Sequence, residues 1–566
     1  MPHTPLLPPC LPPAGPDLTP TLCRLLPQWP LGLESERTQV GLAQALLSLC
    51  GPHPEFLAPG LGLALWAWQE HPLSLLSAGL LTQAWEQAGL PAQAAPALAA
   101  RLLPRLSSDQ ARQHSEEVRQ LILAGEFGLA VKYLMLGLPD PELGLGLLAG
   151  AWPLILALDQ PDLVPALLQA LPQDLPQDRI SGPDMAGLKD RLLAEWAVIH
   201  LPPNQALARV KALDRTLWNP LATYLEAELL LRLGQQDAAR SLLTALWRAM
   251  PWQVNLTLKL HTLLSPRPAP ASAADLEQTC VLAYSWNKAD LLEITLDQVA
   301  DSDIGQALVV VLDNGSTDRT PEVIRAARDR LGSGRFISVA LPVNVGAPAA
   351  RNWLLSLDEV RGRRQAAFLD DDVILPPDWL ARLAAGARDH PDSGVIGCRI
   401  KSASAPHFLQ SADYNLLPLA GGAADQTLAI YDNCTGTPDF GLFTYSRPAA
   451  SVSGCCHLLR LDLMDSVGGF DLRYTPSQFD DLDRDLRLLA AGSPAFYLGD
   501  LEVRHIQFSS LAKAESPAKM GHVLGNKKKL EGKYGLKAVQ ALQAANLDML
   551  GRDLLAKNAD LEIWTA

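Results

Sequence analysis

Ala307-Leu308-Val309-Val310-Val311-Leu312 runs directly into Asp313-Asn314-Gly315-Ser316-Thr317-Asp318, a short Val-rich apolar stretch closed by a turn. Such a run, with no polar residue on either face, predicts a strand buried on both sides. Four further runs share its character: Cys280 to Tyr284, Phe336 to Leu341, Ala366 to Leu369 and Val395 to Ile400. Amphipathic helical stretches separate them. Strand and helix in alternation predict an α/β fold, a mainly parallel sheet with helices on both faces. Ligands of such sheets bind at the carboxyl ends of the strands, so the residues after each run are where chemistry is sought.

Two of those positions stand out. After Leu312, Gly315 supplies a tight turn, Ser316 or Asp318 can cap the next helix, and Asp313 can accept hydrogen bonds from a base or ribose. An ordinary capped turn would use the same residues. After Phe368-Leu369 come three successive carboxylates, Asp370, Asp371 and Asp372, and then Val373-Ile374-Leu375-Pro376. Three acids at the end of a buried strand repel one another, and a hard divalent cation relieves that repulsion through oxygen ligands. The triplet therefore predicts a metal site.

Upstream the grammar differs. Residues 265–272 are rich in Pro and small residues and read as the linker (265–274) between two halves. Residues 38–264 carry Leu and Ala at helical spacings and predict an all-helical domain. Turn signals recur at Gly89-Leu90-Pro91-Ala92, Gly125-Glu126-Phe127-Gly128, Asp159-Gln160-Pro161-Asp162, Leu201-Pro202-Pro203-Asn204 and Gly234-Gln235-Gln236-Asp237. Spacings near ~34 residues suit stacked helical hairpins, and the last unit, Tyr224 to Pro251, resembles a tetratricopeptide-type repeat. A plain helical bundle is the alternative. The remaining divisions are a Pro-rich segment, 1–37, the α/β domain, 275–535, and a helical tail, 536–566. No acid, base or metal cluster stands out before residue 265, so the helical half is expected to govern partner choice and not chemistry.

Composition narrows the class. A 566-residue chain with 48% hydrophobic and 19% charged residues has enough apolar surface for large cores. Its formal net charge of −14 argues against a nucleic-acid binder. The one basic run, Lys527-Lys528-Lys529 with Lys533, reads as a solvated helix face. The first twenty residues hold no Lys or Arg, so they lack a secretory n-region. Leu143 to Leu158 is too short to span a bilayer and contains Pro153, so it reads as buried helix. Eight cysteines without a CxxC pair suggest neither a zinc site nor a disulfide framework, and a cytoplasmic location fits, either free or peripheral to a membrane.

Asn287-Lys288 after the first strand, Asp313 to Asp318, Asn344-Val345-Gly346-Ala347-Pro348-Ala349-Ala350-Arg351-Asn352 and Asp370-Asp371-Asp372 occur in a specific order. Ser453-Gly454-Cys455-Cys456, Gly468-Gly469-Phe470-Asp471, Phe479-Asp480-Asp481-Leu482-Asp483 and Ala491-Gly492 follow them. From Thr279 to Gly535 this order resembles family-2 glycosyltransferases of the GT-A fold. The resemblance implies an inverting transfer from a nucleoside diphosphate sugar without a covalent intermediate. It implies a nucleotide-sugar site of Ser285, Asn287, Asp313, Arg351, Asp370 and Asp371, with Asp313 on the nucleoside. Arg351 would either lie near the donor phosphates or order the Asp triplet. Asp372, His505 and Asp370 would hold the metal, and an imidazole beside carboxylates favours Mn²⁺ over Mg²⁺. Asp481 would be the general base and Asp480 would hold the acceptor, while Asp483 and Asp485 read as charges that favour the first turn of a helix.

Departures mark what the resemblance leaves open. Tyr284-Ser285-Trp286 replaces a smaller, proline-containing loop, and 403–450 matches no motif and reads as an acceptor pocket or lid. The Gln-x-x-Arg-Trp signature and membrane helices of processive synthases are missing, which implies single additions. The expected donor is a nucleotide sugar, UDP-linked by preference. The expected acceptor is a protein, peptide or lipid-linked glycan, and a protein partner or second copy would dock on the helical half. The competing class is a non-catalytic helical-repeat protein that only binds sugar nucleotides. A nucleotidyltransferase would want a glycine-rich phosphate loop after the first strand, and 284–288 offers none.

Overall fold

The computed structural model describes residues 5–11, 18–32, 35–158, 160, 162–175, 180–404, 408–417, 428–432, 436–506 and 517–565. Asp159 and Pro161 of one turn signal, Cys434 and part of 403–450 lie outside them. From Leu18 to Leu264 the chain is helical, ending on the helix Val254–Leu264. Gly125 (φ 79°) and Gly234 (φ 74°) end helices in the left-handed conformation that glycine adopts without a Cβ penalty. At each, the next amide donates back five residues, Glu126 to the Leu121 carbonyl and Gln235 to that of Leu230. These turn signals are thus helix stops.

The sheet strands are β1 (Thr279–Ser285), β2 (Leu308–Asp313), β3 (Phe336–Ala340), β4 (Gln365–Leu369), β5 (Val373–Ile374), β6 (Val395–Ser402) and β7 (Leu409–Ser411). After them come β8 (Tyr414–Leu416), β9 (Ile430–Asp432), β10 (Ser446–Ala449), β11 (Cys456–Arg460) and β12 (Ala495–His505). The main order is β10-β12-β6-β11-β4-β1-β2-β3, with β5 on β12 and β7 on β6, while β8 and β9 pair apart. Neighbours run parallel from β4 through β3 and again at β6-β12. Between these blocks β11 is antiparallel to both β4 and β6. The α/β expectation holds, and the sheet is mixed where β11 joins its two parallel parts.

Side chains alternate across the sheet as the pleat requires. Val309 and Val311 pack with Leu292, Leu296 and Ile324 on one side. Leu308, Val310 and Leu312 belong to a second cluster that runs without a break into Trp66, Trp218, Leu256 and Leu258 of the helical half. Both halves therefore share one core.

The structure adds to three sequence expectations here. Within the Pro-rich segment 1–37, helix Leu18–Leu25 and the turn Trp29–Leu31 pack into that shared core, with Trp29 fully buried. Residues 536–564 form a single helix, Leu536–Trp564. It is a strap rather than a tail, because Asn546 binds the Leu416 amide, Lys557 the Ser446 carbonyl and Asp560 the His261 ring. Lys533 is not a solvated charge, since it pairs with Asp471 at 2.8 Å and Asp483 at 2.6 Å. Leu143 to Leu158 does form a buried helix, Gly144–Leu156. Among the described residues no helix is long and apolar enough to cross a membrane.

Because the core is shared, a chain starting at Ala273 leaves one sheet face uncovered, at ~25 cal/mol per Å² of apolar surface. We expect that truncation to aggregate or to lose cooperative unfolding, read by size-exclusion chromatography and thermal circular dichroism. A soluble truncation with a sharp transition would contradict the shared core.

Candidate active site

The site gathers at the carboxyl ends of β1, β2, β4 and β12. At β2, Asp313 is buried and accepts the Ser316 amide at 2.9 Å, which closes the turn. Gly315 holds φ 76°, and a Cβ there would lie 2.5 Å from the Val343 backbone, so only glycine fits. Asn287 has a positive φ of 51°, a conformation asparagine tolerates. Its side-chain oxygen accepts the Thr317 amide at 2.7 Å, and its own amide donates to Ser316 Oγ at 3.0 Å. The loops after β1 and β2 are thereby laced together.

Beneath them Ser285, 1% exposed, donates to Asp371 at 2.6 Å, and Lys288 Nζ lies 3.0 Å from the same carboxylate. Both Ser285 and Asp371 are buried and satisfied within the protein, which suits holding the floor of the site more than touching a ligand. Lys288 also reaches Asp372 at 3.2 Å. Burial opposes its charge, but Asp371 and Asp372 hold its pKa above the ordinary lysine value.

Asp370, Asp372 and His505 each offer a ligand atom, all within 4.8 Å of one another, the one such group of three among the described residues. Backbone pairing brings them together: β12 lies antiparallel to β5, opposing His505 to Val373, and the Ile506 amide donates to the Asp372 carbonyl at 2.8 Å. His505 Nε2 sits 2.8 Å from Asp372 Oδ1, and Nδ1 sits 2.9 Å from Gln410 Oε1. Burial opposes a charge on His505, yet the hydrogen bond to Asp372 and the nearby carboxylates outweigh it and raise its pKa. Burial first, and then the charges of Asp372 and Asp371, push the Asp370 carboxyl up to about 6. Two carboxylates and an imidazole form a donor set suited to a divalent first-row cation.

The second pair of acids opens the helix Asp480–Ala490. Gln478 and Phe479 enter it with φ of 81° and 72°, strain of a kind that clusters at functional sites. Asp480, expected to hold an acceptor, is instead 1% exposed, and its Oδ2 accepts Arg351 Nη1 at 2.6 Å. Asp481 is half-buried, with Oδ1 accepting the Leu482 amide at 2.8 Å. A Cβ on Gly454 would collide with the other oxygen of Asp481. The Gly454 backbone thus presses against this carboxylate.

Arg351 lies among these acids. Its guanidinium lies between the Tyr284 ring at 5.5 Å and the Phe470 ring at 5.3 Å, binding Asp480 and approaching Asp370 at 3.6 Å. Buried in that position, it orders the acids. Asp483 does stand in the first turn and Asp485 beyond it, and both are fully buried and charge-paired. Asp483 ties Lys533, Arg487 at 3.1 Å and the Tyr534 hydroxyl at 2.9 Å, and Asp485 pairs with Arg484 at 2.5 Å.

Residues 280–459 match the family described as Glycosyl transferase family 2. They are a family-2 glycosyltransferase domain. Among curated proteins, this chain is similar to an N-acetylglucosaminyl-diphospho-decaprenol L-rhamnosyltransferase of Mycobacterium tuberculosis, 27% identical over 235 residues. That match covers 40% of this chain and 75% of the relative. It is 26% identical over 207 residues to the O-antigen biosynthesis protein RfbC of Myxococcus xanthus, covering 36% of this chain and 15% of that protein. A solved mannosyltransferase from Pyrobaculum calidifontis, described as in complex with GDP-Man and Mn²⁺, is 18% identical, with a TM-score of 0.35 over 60% of this chain and 84% of its own.

Within the glycosyltransferase domain, sequence reading missed Gln410 and the role of Gly454. Gly454 lay inside a quoted motif, whereas nothing in the sequence around Gln410 marks it. Because a raised His505 pKa favours the proton on Nε2, Mn²⁺ must displace that proton to bind. Mn²⁺ affinity should therefore rise as pH climbs from the ordinary imidazole value through the raised one of His505, with proton release seen as buffer-dependent heat in calorimetry. A flat affinity over that range would remove His505 from the ligand set.

Asp483→Asn should cost about 1 to 3 kcal/mol in denaturant unfolding, because it strips the partner from buried donors. A change within a few tenths of a kcal/mol would return Asp483 to the reading of a charge that only favours the first turn.

Proposed function

We propose that this protein is an inverting glycosyltransferase that moves a sugar from a nucleoside diphosphate sugar to a hydroxyl acceptor with the aid of a divalent cation. One observation carries the reading. Asp370, Asp372 and His505 converge within 4.8 Å, and Arg351 ties that group to the helix bearing Asp481. Family-2 membership supplies the class of reaction.

In this reading Asp370, Asp372 and His505 would hold the cation, which when bound would supply positive charge to stabilise the leaving diphosphate. Asp313 and the laced loops around Asn287 and Ser316 receive the nucleoside. Ser285 and Asp371 support that floor, and Lys288 offers a cation beside the phosphates. The acceptor oxygen attacks the anomeric carbon on the side opposite the diphosphate. The new C–O bond forms as the bond to the diphosphate oxygen breaks, so configuration inverts. Asp481 takes the acceptor's proton, because a neutral hydroxyl is a poor nucleophile. Asp480 is held on Arg351 and does not share this role. Mn²⁺ is preferred to Mg²⁺ on account of the imidazole ligand. The helical half recognises the acceptor or a partner.

A screen of UDP-, GDP- and dTDP-sugars with Mn²⁺ or Mg²⁺ should find one donor hydrolysed or transferred, UDP-linked by preference. Nucleotide binding with every donor left intact would favour a non-catalytic binding protein. Asp372→Ala should abolish activity and metal-dependent nucleotide affinity together, and unchanged affinity in calorimetry would sink the cation assignment.

Asp481→Asn separates chemistry from binding, since its amide keeps the shape and cannot accept the proton. Donor and metal binding should survive while transfer falls by about 10² or more. Near-normal transfer would mean the base lies elsewhere.

A further inference from the structure

We propose that Gln410 is a positioning residue for the cation site, fixing His505 so that Nε2 is the ring atom presented to Asp370 and Asp372. The inference rests on the cation reading above and adds a residue that none of the sequence motifs contains.

The geometry assigns each end of the amide. Gln410 Nε2 donates to the His505 main-chain oxygen at 3.5 Å, which leaves Oε1 facing His505 Nδ1 at 2.9 Å. An amide oxygen only accepts, so Nδ1 must carry a hydrogen. A neutral imidazole has one N–H, so with Nδ1 protonated the lone pair is on Nε2. That atom lies 2.8 Å from Asp372 Oδ1, inside the group that includes Asp370. Without an acceptor at Nδ1 the ring could carry its proton on either nitrogen and turn about its χ angles. Partners of this kind on a ligating histidine typically contribute 10- to 100-fold in metal affinity.

Gln410 is well held for the task. It is the middle residue of β7, which pairs with β6 beside β12, and the Ala403 amide also donates to the His505 carbonyl, at 2.9 Å. On its other side β7 is bonded to 436–437: the Leu409 amide donates to the Thr437 carbonyl at 3.0 Å, and the Gly436 amide to Leu409 at 2.8 Å. The helical half anchors the residues that follow. Tyr224 donates to the Phe440 carbonyl at 2.8 Å, Arg232 to that of Asp439 at 2.8 Å, and Lys259 to that of Gly441 at 2.6 Å. A pre-set acceptor on a tethered strand orients a ligand more sharply than one on a free loop.

The test is Mn²⁺ titration of the metal-stripped full-length protein by calorimetry, with no nucleotide present. Gln410→Leu should weaken Mn²⁺ binding by about 10- to 100-fold, with the far-ultraviolet spectrum and unfolding midpoint close to wild type. Gln410→Glu keeps an acceptor at Nδ1 and should restore affinity to within about threefold of wild type or better. Ring nitrogen shifts of His505 by NMR above its pKa should report the Nδ1–H tautomer in wild type and Gln410→Glu, and a mixture in Gln410→Leu. Wild-type affinity in Gln410→Leu, or equal losses in both variants, would overturn the role of Gln410 and leave the cation site standing. No Mn²⁺ binding by the wild type would overturn both. Should Gln410→Leu fail to fold, Gln410→Met carries the same prediction, again compared with Gln410→Glu.

Discussion

Mutual repulsion of carboxylates is the constraint around which this site is built. Asp370, Asp371 and Asp372 end one strand, Asp480 and Asp481 open one helix, and most of these groups are withdrawn from water. Burial first, and then like charges, resist ionisation here and push the Asp370 carboxyl up. Three fixed or inducible cations make the cluster tolerable: Lys288 against Asp371 and Asp372, His505 against Asp372, and Arg351 between Asp370 and Asp480. Arg351 matters most to the architecture, because its planar guanidinium stacks near two aromatic rings while reaching both acidic groups. It joins the strand end that would bind the cation to the helix that would carry the base.

The parts of this arrangement that were legible in the sequence are those that chain neighbours decide. Runs such as Leu308 to Leu312 can be little else than buried strands, and three adjacent acids after Leu369 declare their own electrostatic problem. The order of short motifs from Asn287 to Gly492 pointed to the family. What escaped notice depends on residues far apart in the chain. Arg351 and Asp480 are separated by 129 positions, and Gln410 and His505 by 95. Asp483 and Asp485 look like first-turn charges by local rule, yet the helices that follow bring Lys533 and Tyr534 onto one, and Arg484 turns back onto the other.

How the two halves meet was not legible for a related reason. Residues 265–272 have the composition of a linker, but composition says nothing of what the flanking helices cover. The helical half supplies part of the core of one sheet face, and charges paired within each half also bond across to the other, Lys259 to the Gly441 carbonyl and Arg232 to that of Asp439. Lys259, fully enclosed, pairs with Glu228 at 2.6 Å, and Arg399 and Lys401 pair with Asp439 at 3.3 and 3.1 Å. Enclosed ion pairs contribute little net stability, since desolvation cancels much of the attraction. They penalise misalignment severely, because a shifted register strands a charge. The helical half is thus held in one relation to the strand that carries Gln410.

The difference between Asp480 and Asp481 shows how a fold assigns chemistry to neighbours of identical type. One step along a helix rotates a side chain by about 100°. That rotation sends Asp480 to Arg351, where its charge is permanently matched, and leaves Asp481 half-buried against the bare backbone of Gly454. A carboxylate locked to a guanidinium is a good anchor, whereas one bonded mainly to a single amide keeps an oxygen open to a second partner. The glycine and the arginine lie far from the pair in sequence. Between them they set apart Asp481, the one of the two adjacent aspartates that the proposed mechanism takes as its base.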